Sequence, residues 1–393
     1  MCIRDRVPTG DSLSGIAYLV GVTYANGQFL AVGYSYAPYS NTVASVTRAS
    51  LIKPARWFPR LGTLLTSTDG INWVQRQAGT PYHLSSVAYG NGRFVAVGGE
   101  DLNLDVSETR IVTSSDGMNW DVHQPGTYAL ATSIAYGNGQ FVAVGGSDPY
   151  GFIMTSVDGM DWVLRLSPST KRIQPLASIA YGDNRFVAVG GGLPPAYSSN
   201  VIATSIDGVN WEFIKSVVNL KSVAYGNGQF VAVGSSGIIL TSADGAHWIR
   251  RPTTTTAQLN GINFGSGQFA AVGYGGTIVT SADGTTWVKR PSGTGTWLWG
   301  VGFGNGRFLA IGDRGTILES GSIINLAIRT TASTGQLTLS LEGPTELGYT
   351  IQTSTDLSSW RNLTNISSGQ PASVVLDRPA AAADHLFYRA HSQ

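Results

Sequence analysis

The chain has 393 residues, of which 50 are glycine; 42% are hydrophobic, only 12% are charged, and the net charge is +1. Ample apolar surface with little net charge excludes a disordered chain, and glycine without a three-residue period excludes collagen. Apolar runs fall far short of the ~18 residues of a membrane-spanning helix, so no membrane insertion is expected, and the near-neutral balance excludes a nucleic-acid binder, which needs a basic surplus.

Abundant Gly, Thr, Ser, Val, Tyr and Trp with few Glu and Lys points to a large all-β protein of short strands and tight turns. The first six residues, Met1-Cys2-Ile3-Arg4-Asp5-Arg6, match nothing that follows. They resemble the translation of a sequencing-library adapter fused to an open reading frame. Residues 1–6 are therefore expected to be foreign, the natural start and any signal segment to be missing, and the chain without them to carry no cysteine and no net charge. Cys2 is the only cysteine, so no intramolecular disulfide is possible and no thiol nucleophile is expected.

From about residue 20 the sequence repeats, and a repeat takes precedence over any local reading. Val87-Ala88-Tyr89-Gly90-Asn91-Gly92-Arg93-Phe94-Val95-Ala96-Val97-Gly98 recurs at 134–145, 179–190 and 223–234, and more loosely at 22–33, 262–273 and 301–312. Six of these seven copies are followed by Thr-Ser-x-Asp-Gly-x-x-Trp, with Asp69/Trp73, Asp116/Trp120, Asp158/Trp162, Asp207/Trp211, Asp244/Trp248 and Asp283/Trp287. Each repeat predicts four strands. Strand A is the Val-Ala-Tyr stretch, and Asn-Gly, tolerant of positive φ at both positions, turns it into strand B. Strand B, Phe-Val-Ala-Val-Gly, is apolar on both faces, as a strand sandwiched between sheets must be. Strand C ends in Thr-Ser, Asp-Gly makes the next turn, and the strand carrying Trp is D. Four-stranded units of ~40–45 residues, seven times over, predict a seven-bladed β-propeller.

Ser-x-Asp-Gly-x-x-Trp resembles the Asp-box, or BNR repeat, of sialidase-like propellers, and is similar to propellers of the photosystem II assembly-factor type. The family pattern, Ser-x-Asp-x-Gly-x-x-Trp, is one residue longer. The resemblance covers about residues 20–320 and implies a fold, with the Asp-boxes stabilising C–D turns away from the ligand face. The seventh repeat lacks Asp-Gly-x-x-Trp. Its strand D is predicted to come from the N-terminus, where Val7-Pro8-Thr9-Gly10 resembles Arg290-Pro291-Ser292-Gly293; residues 323–328 are the alternative.

A–B and C–D turns share one face of a propeller, and B–C and D–A loops the other. The uniform turns read as structural, with the six turn Asp accepting backbone hydrogen bonds. The other loops vary in length and composition, and variable loops on a rigid scaffold are where binding lives. The B–C loop at 34–63 carries Arg56, Trp57 and Arg60, a cationic aromatic cluster that either stacks on a ligand or folds the loop down. The acidic loop at 99–110 has no Ca²⁺-loop spacing, and the fourth B–C loop carries Tyr197. The D–A loops bring Tyr82, His83, Tyr128, Lys171, Arg172, Trp297 and Trp299.

A sialidase resemblance would require three arginines around a carboxylate, a tyrosine nucleophile activated by Glu, and an acid Asp. With six Glu in the chain, no carboxylate pair can be placed at glycosidase separation. The five His show no metal spacing, and no nucleophile elbow or phosphate loop occurs, so no catalytic residue, metal or cofactor is expected. After about residue 324 the repeat stops. Tyr349-Thr350-Ile351-Gln352-Thr353-Ser354-Thr355-Asp356-Leu357-Ser358-Ser359-Trp360 and the closing Phe387-Tyr388-Arg389 resemble a small β-sandwich module of secreted Verrucomicrobiota and Planctomycetes proteins. The rival reading is an eighth blade, against which stands the missing Phe-Val-Ala-Val-Gly strand.

The expected organisation is a propeller over 7–323 and a β-sandwich-like domain over 324–393. The expected protein is a monomeric, non-catalytic propeller, extracellular, periplasmic or on the cell surface, that binds a glycan or protein through its B–C/D–A face. The alternatives are a sialidase-like glycoside-acting enzyme and an assembly factor for a membrane complex.

Overall fold

The computed structural model describes residues 3–5, 17–36, 60–80, 82–102, 106–127, 129–147, 150–166, 173–191, 200–320, 325–330, 336–342, 349–354, 359–367, 373–379 and 387–392. Seven four-stranded antiparallel sheets follow the seven repeats and form a β-propeller. Strands A of blades 1 to 7 are Ala17–Ala25, His83–Gly90, Ala131–Gly137, Leu176–Gly182, Leu220–Gly226, Leu259–Gly265 and Leu298–Gly304. Blade 4 shows the unit: Leu176–Gly182, Arg185–Gly190, Asn200–Ser205 and Glu212–Ser216 pair in that order.

Seven apolar clusters lie between neighbouring blades, one for each seam of the ring. Strand B supplies both seams it touches. Phe141 and Ala143 face back to blade 2, whereas Val142 and Val144 face forward to blade 4. The two-residue period of a strand thus divides one apolar run between two interfaces. The ring closes where Leu19, Ala31 and Leu65 of blade 1 meet Ile311 and Ile317 of blade 7.

Glycine serves these seams as well as the turns. A Cβ on Gly182, at the end of a strand A, would lie 2.0 Å from the ring of Tyr225 in the next blade; on Gly137 it would meet Tyr181 at 2.1 Å. Strand B ends in glycine for another reason. Strand A slips register near its start, as between Leu84 and Ser86. A Cβ on Gly98 would therefore fall 2.0 Å from the His83 carbonyl oxygen.

The Ser-x-Asp-Gly-x-x-Trp turns share one hydrogen-bond pattern. One oxygen of each Asp accepts from the amides two and three residues on, at 2.7–3.0 Å. Each Trp indole donates to the carbonyl of the turn glycine, at 2.9–3.2 Å. The turns also tie blades together. Gln28, Gln140 and Gln229 donate from Nε2 to the carbonyls of Asp116, Asp207 and Asp283 in the following blade, at 2.8, 2.6 and 2.8 Å.

The seventh blade takes its fourth strand from the N-terminus: Ile3–Asp5 pairs antiparallel with Leu318–Ser320 of strand C. The pairing residues lie within the segment 1–6 rather than at 7–10, which fall outside the described residues. The alternative strand over 323–328 does not form with this blade; Asn325–Thr330 pairs instead with Gln336–Glu342. The acidic segment 99–110 is also not a loop over most of its length. Arg93–Leu102 and Val106–Ser114 pair through Leu102 and Val106, extending blade 2 as a hairpin arm.

Beyond the ring, Asn325–Thr330, Gln336–Glu342 and Ser373–Pro379 make one three-stranded antiparallel sheet. Arg361–Ile366, Tyr349–Ser354 and Phe387–Ser392 make another. Neither has the sequential four-strand order of an eighth blade.

Gly182→Ala should lower stability by about 3 kcal/mol, because the Tyr225 ring must move. Gly228→Ala, at φ +74° with open space around it, should cost about 1 kcal/mol. Urea unfolding of the two variants checks the contrast. Removing residues 1–12 should lower the melting temperature; an unchanged value would count against closure by Ile3–Asp5.

The turn carboxylates also set an acid limit. The amide three residues on is the largest cause holding Asp116, Asp158, Asp207, Asp244 and Asp283 below the ordinary range. Partial burial would raise Asp69, but the amides of Asn72 and Ile71 bring it down to about 2. A carboxyl depressed in the folded state stabilises above its unfolded value of ~3.9 and loses that contribution as pH falls through the folded one. The melting temperature should hold from pH 7 to pH 5 and fall steadily below pH 4, with a shallower fall in Asp207→Asn.

Candidate functional site

The B–C/D–A face is uneven. In blades 5 and 6 strands B and C are joined by single turns, Ser235–Gly237 and Tyr274–Gly276. In blades 1 and 2 the strands run on as arms, through Tyr36 paired with Arg60 and Leu102 paired with Val106. Their strands B have 9 and 10 residues against 6 in blade 5. At ~3.4 Å per residue the arms rise about 10–14 Å above the low side.

An aromatic arc follows this face from blade 6 to blade 2. Tyr274, in the turn of blade 6, stacks on Trp297 with centroids 4.2 Å apart and planes 17° from parallel. Trp299 meets both edge-on, at 5.7 and 6.0 Å. Its indole N–H donates to Asp313 Oδ1 in the B–C turn of blade 7. Asp313 in turn forms a backbone bridge to Tyr18 of blade 1. Tyr18 stacks on Tyr34 at 5.0 Å, and Tyr34 meets His83 of blade 2 edge-on at 5.7 Å. Beside His83, the Arg110 guanidinium lies 4.6 Å from the Tyr82 ring centroid and pairs with Glu108. Trp297 is 46% exposed, while His83 is buried. Trp297 is therefore the ring of the arc that is open to solvent, and His83 is part of the support beneath it.

At the centre, strands A enclose a cavity of about 220 Å³. It is walled by the successive residues that follow the strand-A register slip. On blades 2 to 5 the second of these is serine. Ser86, Ser133, Ser178 and Ser222 each accept the amide of Ile134, Ile179, Val223 or Ile262 in the next blade, at 3.2–3.4 Å. On blades 6, 7 and 1 the position is Gly261, Gly300 or Gly21, where a Cβ would come within 2.7–2.9 Å of a carbonyl oxygen in the next blade. The residue before it varies: Val20, Ser85, Thr132, Ala177, Lys221, Asn260 and Trp299. Trp299 thus belongs to both the arc and the cavity.

Of the anticipated ligand-binding residues, Tyr82, His83, Trp297 and Trp299 fall on the arc in two groups, which Tyr18 and Tyr34 connect. Arg60 opens strand C of blade 1, opposite Tyr36. Arg56, Trp57, Tyr128, Lys171, Arg172 and Tyr197 lie outside the described residues. The six turn Asp, at 69, 116, 158, 207, 244 and 283, sit in the C–D turns. Tyr18, Tyr34, Tyr274, Asp313 and Lys221 were not anticipated. Their signal was position: each departs from the repeat beside a residue that does not, as Lys221 does between Leu220 and Ser222.

Two described carboxylates near this face are engaged: Asp313 by Trp299, and Glu108 by Arg110. Glu319 forms an ion pair with Arg307 in blade 7. Among the described residues no carboxylate lines the cavity, and no group of three His, Cys, Asp or Glu side chains could hold a metal ion. No helix among them is long and apolar enough to cross a membrane.

No family model matches the chain, and no curated protein matches it. Solved structures do. YCF48 from Cyanidioschyzon merolae superposes with a TM-score of 0.53 at 15% identity, over 81% of this chain and 98% of that one. YCF48 bound to D1 peptide gives 0.55 at 16% identity, over 81% and 97%. An extracellular domain from B. thetaiotaomicron gives 0.50 at 9% identity, over 97% of this chain and 55% of that one. At these identities the likeness is one of fold.

Proposed function

We propose that this chain is a non-catalytic binding propeller, secreted or held at the cell surface, that takes a glycan or protein ligand on its B–C/D–A face. The aromatic arc carries this reading. Tyr274, Trp297 and Trp299 form a cluster on the low side of the face, partly open to solvent and adjoining the tunnel. Aromatic rings supply large contact area at small entropic cost, and they dominate binding hot spots. Among the described residues, the carboxylates on the arc are bound by Trp299 and Arg110, which supports binding over a sialidase-like glycoside chemistry.

Two neighbours in fold support a protein ligand and an extracellular setting: YCF48 in the structure bound to D1 peptide, and the extracellular domain from B. thetaiotaomicron. The first also keeps a second reading open, an assembly factor for a membrane complex, in line with the resemblance of the repeats to Asp-box propellers of that type. That reading requires co-purification with the complex.

Screening the full chain on glycan and peptide arrays tests the proposal. Trp297→Ala or Tyr274→Ala should weaken the best hit at least about tenfold. Thr285→Ala, in the C–D turn of blade 6, should leave it unchanged, with all three variants melting near the parent. Hits insensitive to Trp297 and Tyr274, or turnover of any glycoside on the array, would overturn it.

A further inference from the structure

The tunnel has a charge pattern of its own. Every described residue lining the central cavity is neutral except Lys221, which enters from strand A of blade 5. Lys221 is partly buried, and no described residue gives it a hydrogen-bond or ion-pair partner. Burial alone lowers the pKa of its ammonium group. A partly buried charge without a partner is costly unless something compensates it, and nothing acidic among the described residues lines this space.

The surrounding polar groups face the same way electrically. Ser86, Ser133, Ser178 and Ser222 use their oxygens to accept amides across the seams, which leaves each hydroxyl hydrogen to donate. Of the two side-chain amides in the wall, Asn260 and Asn263, the first is held by Gln258 and by the Leu298 carbonyl, at 2.8 and 2.9 Å, and the second can turn its NH₂ as a donor toward an anion. One ammonium, several O–H donors and no carboxylate make a site for an anion. Trp299 in the same wall adds an apolar ring face suited to a carbon skeleton.

We propose that the central cavity binds a small organic carboxylate, with the Lys221 ammonium as its counter-ion and the tunnel serine hydroxyls as hydrogen-bond donors. The site differs from the outer aromatic arc in place and in chemistry, and it stands whether or not the arc holds a macromolecule. Trp299 is the one residue the two share.

Calorimetric titration of the full chain with sodium glucuronate and sodium acetate tests the assignment, with glucose and sodium chloride as controls. Saturable binding of the carboxylates in the millimolar range or tighter is expected, with none for glucose. Glucuronate binding tighter than acetate would place a sugar acid against Trp299; equal binding would define a site for the carboxylate alone. Lys221→Met should weaken binding at least about tenfold, and Lys221→Arg should retain most of it. Because no other titratable side chain among the described residues lines the cavity, binding by the unaltered chain should weaken as rising pH takes the proton from Lys221, at a pH below that of an ordinary lysine. This arm applies even if Lys221→Met fails to fold. The arrays read the face and the titration reads the cavity, so carboxylate binding without any array hit, or the reverse, separates failure here from failure of the face proposal. No saturable carboxylate binding, indifference to pH and to Lys221→Met, or equal displacement by chloride would overturn the assignment.

Discussion

The seam between blades is the interaction on which the rest of this molecule depends. A single four-stranded sheet has two apolar faces and can cover neither, so each blade is stable only between two others. The alternation of strand B makes this explicit: Phe141 and Val142 are adjacent in sequence and belong to different cores. The seams require close approach, and the glycines that end strand A permit it. The Tyr225 ring occupies the space a side chain at 182 would take, and the Tyr181 ring does the same at 137. Blade 1 has Ala25 at the equivalent position, packed against the seam that holds Tyr89.

The blades were legible because the repeat is written in local chemistry. Asn-Gly and Asp-Gly fix turns through their own backbones, and an apolar run of five residues with no polar face identifies strand B wherever it occurs. What could not be read was any contact that the ring makes between positions some 45 residues apart. The glycines of Asp-Gly read as turn-formers, and they are, at positive φ. Yet Gly117 is also pressed against the Gln28 side chain of the preceding blade. The segment 99–110 was misread for a related reason. Its acidic composition lacks the apolar alternation of a core strand, because these residues extend past the seams and only continue the hairpin that Gly98 and Arg110 begin. The site was legible in part. Trp297 and Trp299 stand out as tryptophans outside the repeat. Tyr18, Tyr34 and Tyr274 do not, since tyrosine is common along the chain and only the circular arrangement brings blades 6, 7, 1 and 2 into sequence with one another.

The ring is regular in backbone and graded in side chain, and the two are linked at the tunnel. Where the variable strand-A position carries Asn260, Trp299 or Val20, the next residue is Gly261, Gly300 or Gly21. Where it carries Ser85, Thr132, Ala177 or Lys221, the next is serine. The glycine half lets one strand A approach the carbonyls of its neighbour directly. The serine half sets a hydroxyl between them and gains a hydrogen bond to the next blade's amide. The same three seams of closest approach underlie the arc from Tyr274 to Tyr34. The packing solution at the axis and the aromatic surface above it therefore fall on one side of the ring, and the donor-rich wall with Lys221 falls on the other.

This division would let one scaffold carry the two kinds of recognition proposed above without a change of backbone. An aromatic surface gains from rigidity, because rings held by stacking and by hydrogen bonds such as that from Trp299 to Asp313 lose little freedom when a ligand arrives. A partly buried ammonium gains from the opposite property, a space left for its counter-ion. A close-packed β-sheet interior would normally eliminate such a space. The propeller retains it because seven strands A converge on an axis that none of them can reach. The geometry that forces glycine into the seams thus also holds the tunnel open.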